Sequence, residues 1–281
     1  MLGDAPFPQI ELFSEIQRAI TALLTTYEPE FIRFGYTLFL AFATILISWH
    51  GIRMMLTHEP LGEHLFGFAK LLVFISLGYA LIVYYESPLP GIGVSASNLI
   101  TDQAHYFAHI LDAKAVERTY AHLDDLWLRF MQPDAWAILP NLQYWLLFIV
   151  LAIAKILSIA VIAFGLIATA VCGLLGPLFV PFLLAPTLDW LFWGWLKSYV
   201  QYAFIEVVAF AFFMIFERFI FAYVTMVPPG ITEGDYPLYH LQALVVVGAF
   251  AIGVLLIPSL TSSLFSGRGG ESILPAHFVR F

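Results

Sequence analysis

Histidines and carboxylates at short spacing are the first residues to weigh for chemistry. His58-Glu59 and His64 suggest a metal-binding helix, but that motif needs histidines at i and i+4 with glutamate between them. Position 62 is Gly62, and His64 comes two residues too late, so a solvated loop accounts for them. His105 and His109 do keep the i, i+4 spacing, and Asp102 falls one turn earlier on the same helical face. Tyr106 stands where the catalytic glutamate would be, and same-face ligands from one helix rarely close a structural site without a fourth. Surface histidines are the plainer reading, and His122 adds no defined spacing. The run Gly91–Ser97 (G-I-G-V-S-A-S) lacks the Gly-Lys-Ser/Thr ending of a phosphate loop. No positioned base can be named beside its serines. The residues therefore make no positive case for an enzyme, a metal or a cofactor.

Charges inside apolar runs carry more information. Lys155 has ten apolar residues before it and seventeen uncharged ones after it. A lysine at the centre of a bilayer costs ~3 kcal/mol unless it is paired or wet. Glu206, Glu217 and Arg218 interrupt a second such run. Lys155 lies 17 residues from Cys172, and Glu217 lies 18 from Tyr199, so equal depth joins Lys155 to Glu217. That pair either pins helix register or belongs to the polar lining of a shared conduit. Arg218 points ~100° from Glu217 on a helix and is near enough to a span end to snorkel.

The elements that must position these groups follow from composition. The 281 residues are 61% hydrophobic, 17% aromatic and 11% charged, with mean hydropathy +0.87. Soluble domains carry about 25% charged residues, so the chain belongs in a membrane. Net charge is −8, so no basic surface advertises nucleic-acid binding. Cys172 is the single cysteine and reads as a small buried residue. Asp4, Glu11 and Glu15 stand where a cleaved signal would carry basic residues, so none is expected.

The pattern predicts an all-α, polytopic transmembrane helix bundle of about five spans: 34–56, 65–85, 145–172, 199–224 and 241–260. Five regions result: an N-terminal amphipathic helix (1–33), a transmembrane pair (34–85), a periplasmic helical loop region (86–144), a transmembrane core (145–260) and a cytoplasmic tail (261–281). The scattered basic residues, with Arg53 and Lys70 bracketing the first loop and Arg268 and Arg280 on the tail, put the N-terminus outside and the C-terminus inside. In the outer loop Val116, Tyr120, Leu123, Trp127 and Phe130 form one helical stripe. It needs an apolar cover, supplied by a partner protein, a neighbouring protomer or the chain's own spans.

Between 173 and 198 the core breaks its own helix at Gly176, Pro177, Pro181 and Pro186, amid aliphatic and aromatic residues. Broken backbone at membrane depth survives only where protein buries it or it lines a wet cavity, and neighbouring copies are the expected shelter. Trp193, Trp195 and Tyr202 nearby form either an interface belt or a subunit contact.

The order Gly176-Pro177-Leu178-Phe179, Phe182, Pro186-Thr187, Trp195-Leu196 and Tyr202 resembles the TrbL-type family. These are polytopic inner-membrane channel subunits of bacterial type IV secretion systems. The similarity runs over roughly residues 145–260, the earlier residues match in layout, and Pro181 is a break beyond the family's pattern. The resemblance implies a homo-oligomeric ring, a pentamer, at the base of a periplasmic stalk. It implies roles in conjugation, pilus biogenesis and DNA transfer or protein secretion. Implied partners are a minor pilin-like stalk subunit, other inner-membrane secretion subunits and their ATPases, membrane lipid, and DNA or protein as cargo. The acidic balance argues against direct passage of DNA along this subunit. A small-molecule secondary transporter is the alternative, since midplane charge and a broken helix also suit one. The absence of an internal repeat and the odd span count weigh against it.

Overall fold

The computed structural model describes residues 9–56, 61–111, 114–134, 136–232 and 234–265. His58 and Glu59, and the tail with Arg268 and Arg280, lie outside the described residues. The helices are α1 (Gln9–Leu56), α2 (Leu61–Val83), α3 (Asn98–Ile110), α4 (Ala115–Leu128), α5 (Ile138–Phe179), α6 (Asp189–Met226) and α7 (Tyr236–Phe265). A 3-10 turn, Val180–Leu184, follows α5. Among the described residues the one strand-like pairing is an isolated bridge between Phe130 and Ile231. Five helical stretches are long and apolar enough to cross a membrane: Arg18–Leu56, Gly62–Val83, Ile138–Leu184, Asp189–Met226 and Tyr236–Phe265. Large apolar side chains along them are mostly exposed, among them Phe66, Val73, Ile156, Ile215 and Val245. Water would not tolerate so much apolar surface. The fold is an all-α polytopic bundle, and the chain is a multi-pass membrane protein.

Two element boundaries differ from expectation. The amphipathic N-terminal stretch and the first span form one helix of 48 residues, α1, with Pro29 inside it. A proline removes one amide donor, a local penalty of ~3 kcal/mol in a helix interior. Helical pattern continues on both sides of Pro29, so the helix does too. The broken segment is also shorter than 173–198. Gly173, Gly176 and Pro177 remain inside α5, and irregular backbone is confined to 180–188.

The described residues divide into two compact units, one drawn from those up to 103, 166–203 and 265, the other from those within 104–165 and 204–264. In the first unit the proline break is buried by the chain itself. Phe39, Ala43, Ile82, Val180, Leu183, Leu184 and Phe192 form its core. The 3-10 turn thus packs on α1 and α2 of its own chain. Pro177 cannot donate to the Gly173 carbonyl four residues back; Tyr85 Oη donates to that carbonyl instead. Trp195 Nε1 donates to the adjacent Cys172 carbonyl at 2.8 Å. Gly176 is the fitting residue here, because a Cβ would collide with the Tyr85 and Trp195 rings. Gly35 lets α1 approach the Pro177 carbonyl in the same way. Ala185 is extended ahead of Pro186, the conformation a following proline favours.

In the second unit α6 and α7 pack through phenylalanines. Phe212 and Phe250 stack at 6.0 Å, and Phe213 meets Phe250 edge-on at 5.6 Å. Gly253 leaves room for the Phe212 ring. Residues 104–130, on α3 and α4, lie along α6 and run in the same direction. Phe107 meets Phe204, Tyr120 meets Phe213, and His122 meets Phe221 at ring separations of 6.2, 6.3 and 5.1 Å. Arg129 ends the series on the Val227 carbonyl.

Of the three covers open to the stripe of Val116, Tyr120, Leu123, Trp127 and Phe130, a partner, a neighbouring protomer or the chain's own spans, this packing supplies the last. Leu123 is fully buried, and Val116 and Phe130 are nearly so. Trp127 packs on Tyr144 and Phe148 at 4.0 and 5.2 Å, and Phe130 meets Tyr236 at 5.6 Å. The stripe is thus covered by α5, α6 and α7 of its own chain.

Candidate functional site

Three of the intramembrane charges, Glu206, Glu217 and Lys155, meet polar residues from α3 and α4. Glu217 accepts two bonds from Arg118, Nε to Oε1 at 2.7 Å and Nη2 to Oε2 at 2.9 Å. His122 Nε2 stands 4.0 Å from the same carboxylate. One turn of α4 separates Arg118 from His122, so both reach Glu217 from one helical face. Glu206 pairs with His105 Nδ1 at 3.1 Å. Lys155, on α5, pairs with Asp124 and lies over the Tyr120 ring at 5.9 Å. The side chains of Glu217, Glu206 and Lys155 are only 15, 16 and 13% exposed. Their partners on α3 and α4 are wetter, with Arg118 at 41% and Asp124 at 37%.

This asymmetry defines the seam. The charge on each span is shielded, and its partner extends toward solvent. A bidentate arginine–carboxylate pair is among the stronger charge-assisted contacts and fixes orientation as well as energy. Such partners offset part of the ~3 kcal/mol that a lone charge costs at membrane depth.

The equal-depth expectation joined Lys155 to Glu217. The structure instead seats Lys155 on Asp124 and closes Arg118 around Glu217. The reason is physical: equal depth compares the spans with one another, whereas α4 brings its own charges alongside them. Arg218 is exposed and makes no ion pair among the described residues. His105 serves Glu206, and Asp102 is exposed. No group of three metal-ligating side chains occurs among the described residues. The signal that sequence reading passed over is the polar face of α4, where Arg118, His122 and Asp125 recur opposite the apolar stripe.

The aromatic residues divide. Trp195 is an internal residue, stacked on Phe179 at 6.3 Å and on Tyr199 at 5.7 Å. Its ring and its N–H are both engaged within the first unit. Trp193 is exposed, Tyr202 is half-buried, and Trp193 keeps an apolar surface for lipid or a neighbour. Gly176, Pro177 and Pro181 belong to the buried turn described above, with Pro186 in the connection to α6.

A bundle of long apolar helices, with Lys155, Glu206 and Glu217 partnered internally and a proline turn held by side-chain donors, defines a multi-pass membrane protein. The family model for the TrbL/VirB6 plasmid conjugal transfer protein matches residues 43–257, and the chain belongs to that family. It is therefore a membrane subunit of the conjugal-transfer and type IV secretion class, associated with other components of such systems. The match begins at Ala43 and so extends well before the region from 145 that carried the resemblance. Comparison with individual curated sequences gives no match.

Proposed function

We propose that the chain forms a ring-shaped platform in the bacterial inner membrane, at the base of a secretion stalk. There it supports pilus biogenesis and the translocation of DNA or protein. The single observation that carries this reading is the family match across residues 43–257, which covers most of the membrane-crossing helices. The internally paired charges agree with it: a transporter would leave its midplane charges available for substrate, whereas these are engaged by α3 and α4. A minor pilin-like subunit on the outer face, other inner-membrane secretion subunits and the motor ATPases are its proposed partners. The 227–235 turn has no basic residue and faces the periplasm, and the tail with Arg268 and Arg280 faces the cytoplasm.

An in-frame deletion in a donor strain tests this. Transfer and pilus formation should both fall by at least a thousandfold and return with the gene supplied in trans. Unchanged transfer with loss of uptake of a small solute would favour the transporter instead.

A further inference from the structure

The contacts along α6 place residues 104–130 at a depth that the loop reading did not give them. Within the second unit, Phe107 meets Phe204, Arg118 meets Glu217 and Arg129 reaches Val227. From Phe204 to Val227 an α-helix rises about 35 Å, and the hydrocarbon core of a bilayer is about 30 Å thick. If α6 crosses the membrane there, the chain of α3 and α4 accompanies it from one side to the other. We propose that α3 and α4 together form an additional, polar crossing, and that the outward face of α4 lines a water-filled passage in the assembled ring.

The residues on that face require water. Lys114 and Glu117 are exposed, and the side chains of Arg118, Asp124 and Asp125 are 41, 37 and 48% exposed. Charges of this kind within a membrane face a bundle interior or a wet cavity, not acyl chains. The opposite face carries Leu123 and Leu126, both fully buried. The helix is thus amphipathic with its apolar side on its own bundle, the reverse of a lipid-facing span. The sequence conceals such a crossing because its hydropathy is that of a soluble helix. An added crossing also reverses the parity of the chain: α3 begins on one face of the membrane and α4 ends on the other. This replaces the assignment of 86–144 to a periplasmic loop region. The lining role rests on the proposed ring, whereas the crossing does not.

Single cysteines in a Cys172→Ser background, in the full-length protein in cells, test both parts. Asn98→Cys and Gln132→Cys flank the crossing; Leu99→Cys and Trp136→Cys are the second pair, all at exposed positions. A membrane-impermeant maleimide should label only one member of each pair in intact spheroplasts, and the other only after permeabilisation. Glu117→Cys should react with a small hydrophilic methanethiosulfonate at least tenfold faster than Val245→Cys, an exposed apolar position on α7. Labelling of both flanking positions from one face overturns the crossing, even if purified protein forms rings. Opposite labelling with Glu117→Cys as slow as Val245→Cys overturns the aqueous lining. Correct labelling without a ring in purified protein would instead contradict the proposed assembly and leave the crossing standing.

Discussion

At the scale of single residues, the second unit depends on side chains that finish one another's electrostatics. Removing one partner of a buried pair costs about 3–5 kcal/mol, and the partial exposure of Arg118 lowers that. Arg118→Ala should therefore destabilise the detergent-solubilised protein by about 2 kcal/mol, read as a lower Tm. Arg118→Lys should recover only part of the loss, because an ammonium cannot present the two-pronged donor. The double exchange Arg118→Glu with Glu217→Arg should recover more than either single exchange does. Equal melting of the single variants and the parent would remove the pair from the account. In the first unit, Tyr85→Phe strips the Gly173 carbonyl of its donor. It should cost about 1–3 kcal/mol, while Trp195→Phe does the same to Cys172. These pairings are far apart in sequence, as Tyr85 is from Gly173. Reading the chain identified Lys155, Glu206 and Glu217 as groups in need of partners, yet chose the partner of Lys155 from the wrong element. Depth along a span is legible from residue number; which helix lies beside it is not.

At the scale of elements, close approach depends on where side chains are absent. A Cβ at Gly176 would strike the Tyr85 and Trp195 rings, and one at Gly35 would strike the Pro177 backbone. A Cβ at Gly248 meets nothing within 4 Å. Gly35→Ala and Gly176→Ala should each destabilise by about 1–3 kcal/mol and broaden the gel-filtration peak, whereas Gly248→Ala should leave both stability and elution unchanged. Similar behaviour of all three would mean that the turn is not packed against α1 and α2. Trp127→Ala should lower Tm in the purified protein alone, with no partner present, because the ring packs on Tyr144 and Phe148. A Trp127→Ala variant with parental Tm but lost transfer would restore the partner-binding stripe. The five apolar stretches were legible because ~20 consecutive apolar residues leave little choice in water. The stripe on α4 was legible as a stripe, but its cover was not, since periodicity reports that a face is buried and is silent on what buries it. Proline was legible as a break, yet Pro177 stays inside α5 because Tyr85 takes over the lost bond.

At the scale of the whole molecule, the long helices leave many large apolar side chains exposed, Trp49 on α1 and Trp193 on α6 among them. Lipid or further copies of the chain must cover them. Lys155, Glu206 and Glu217, by contrast, are partnered within one chain, so a ring would be held by apolar and aromatic contact more than by salt bridges from these residues. Its assembly should accordingly persist when salt is raised from 0.1 to 0.5 M, a range in which screening weakens exposed ion pairs. The most direct measurement is electron microscopy of the full-length protein purified in mild detergent. Class averages should show a closed, rotationally symmetric ring of identical subunits. A stable, well-folded monomer as the sole species would contradict the account.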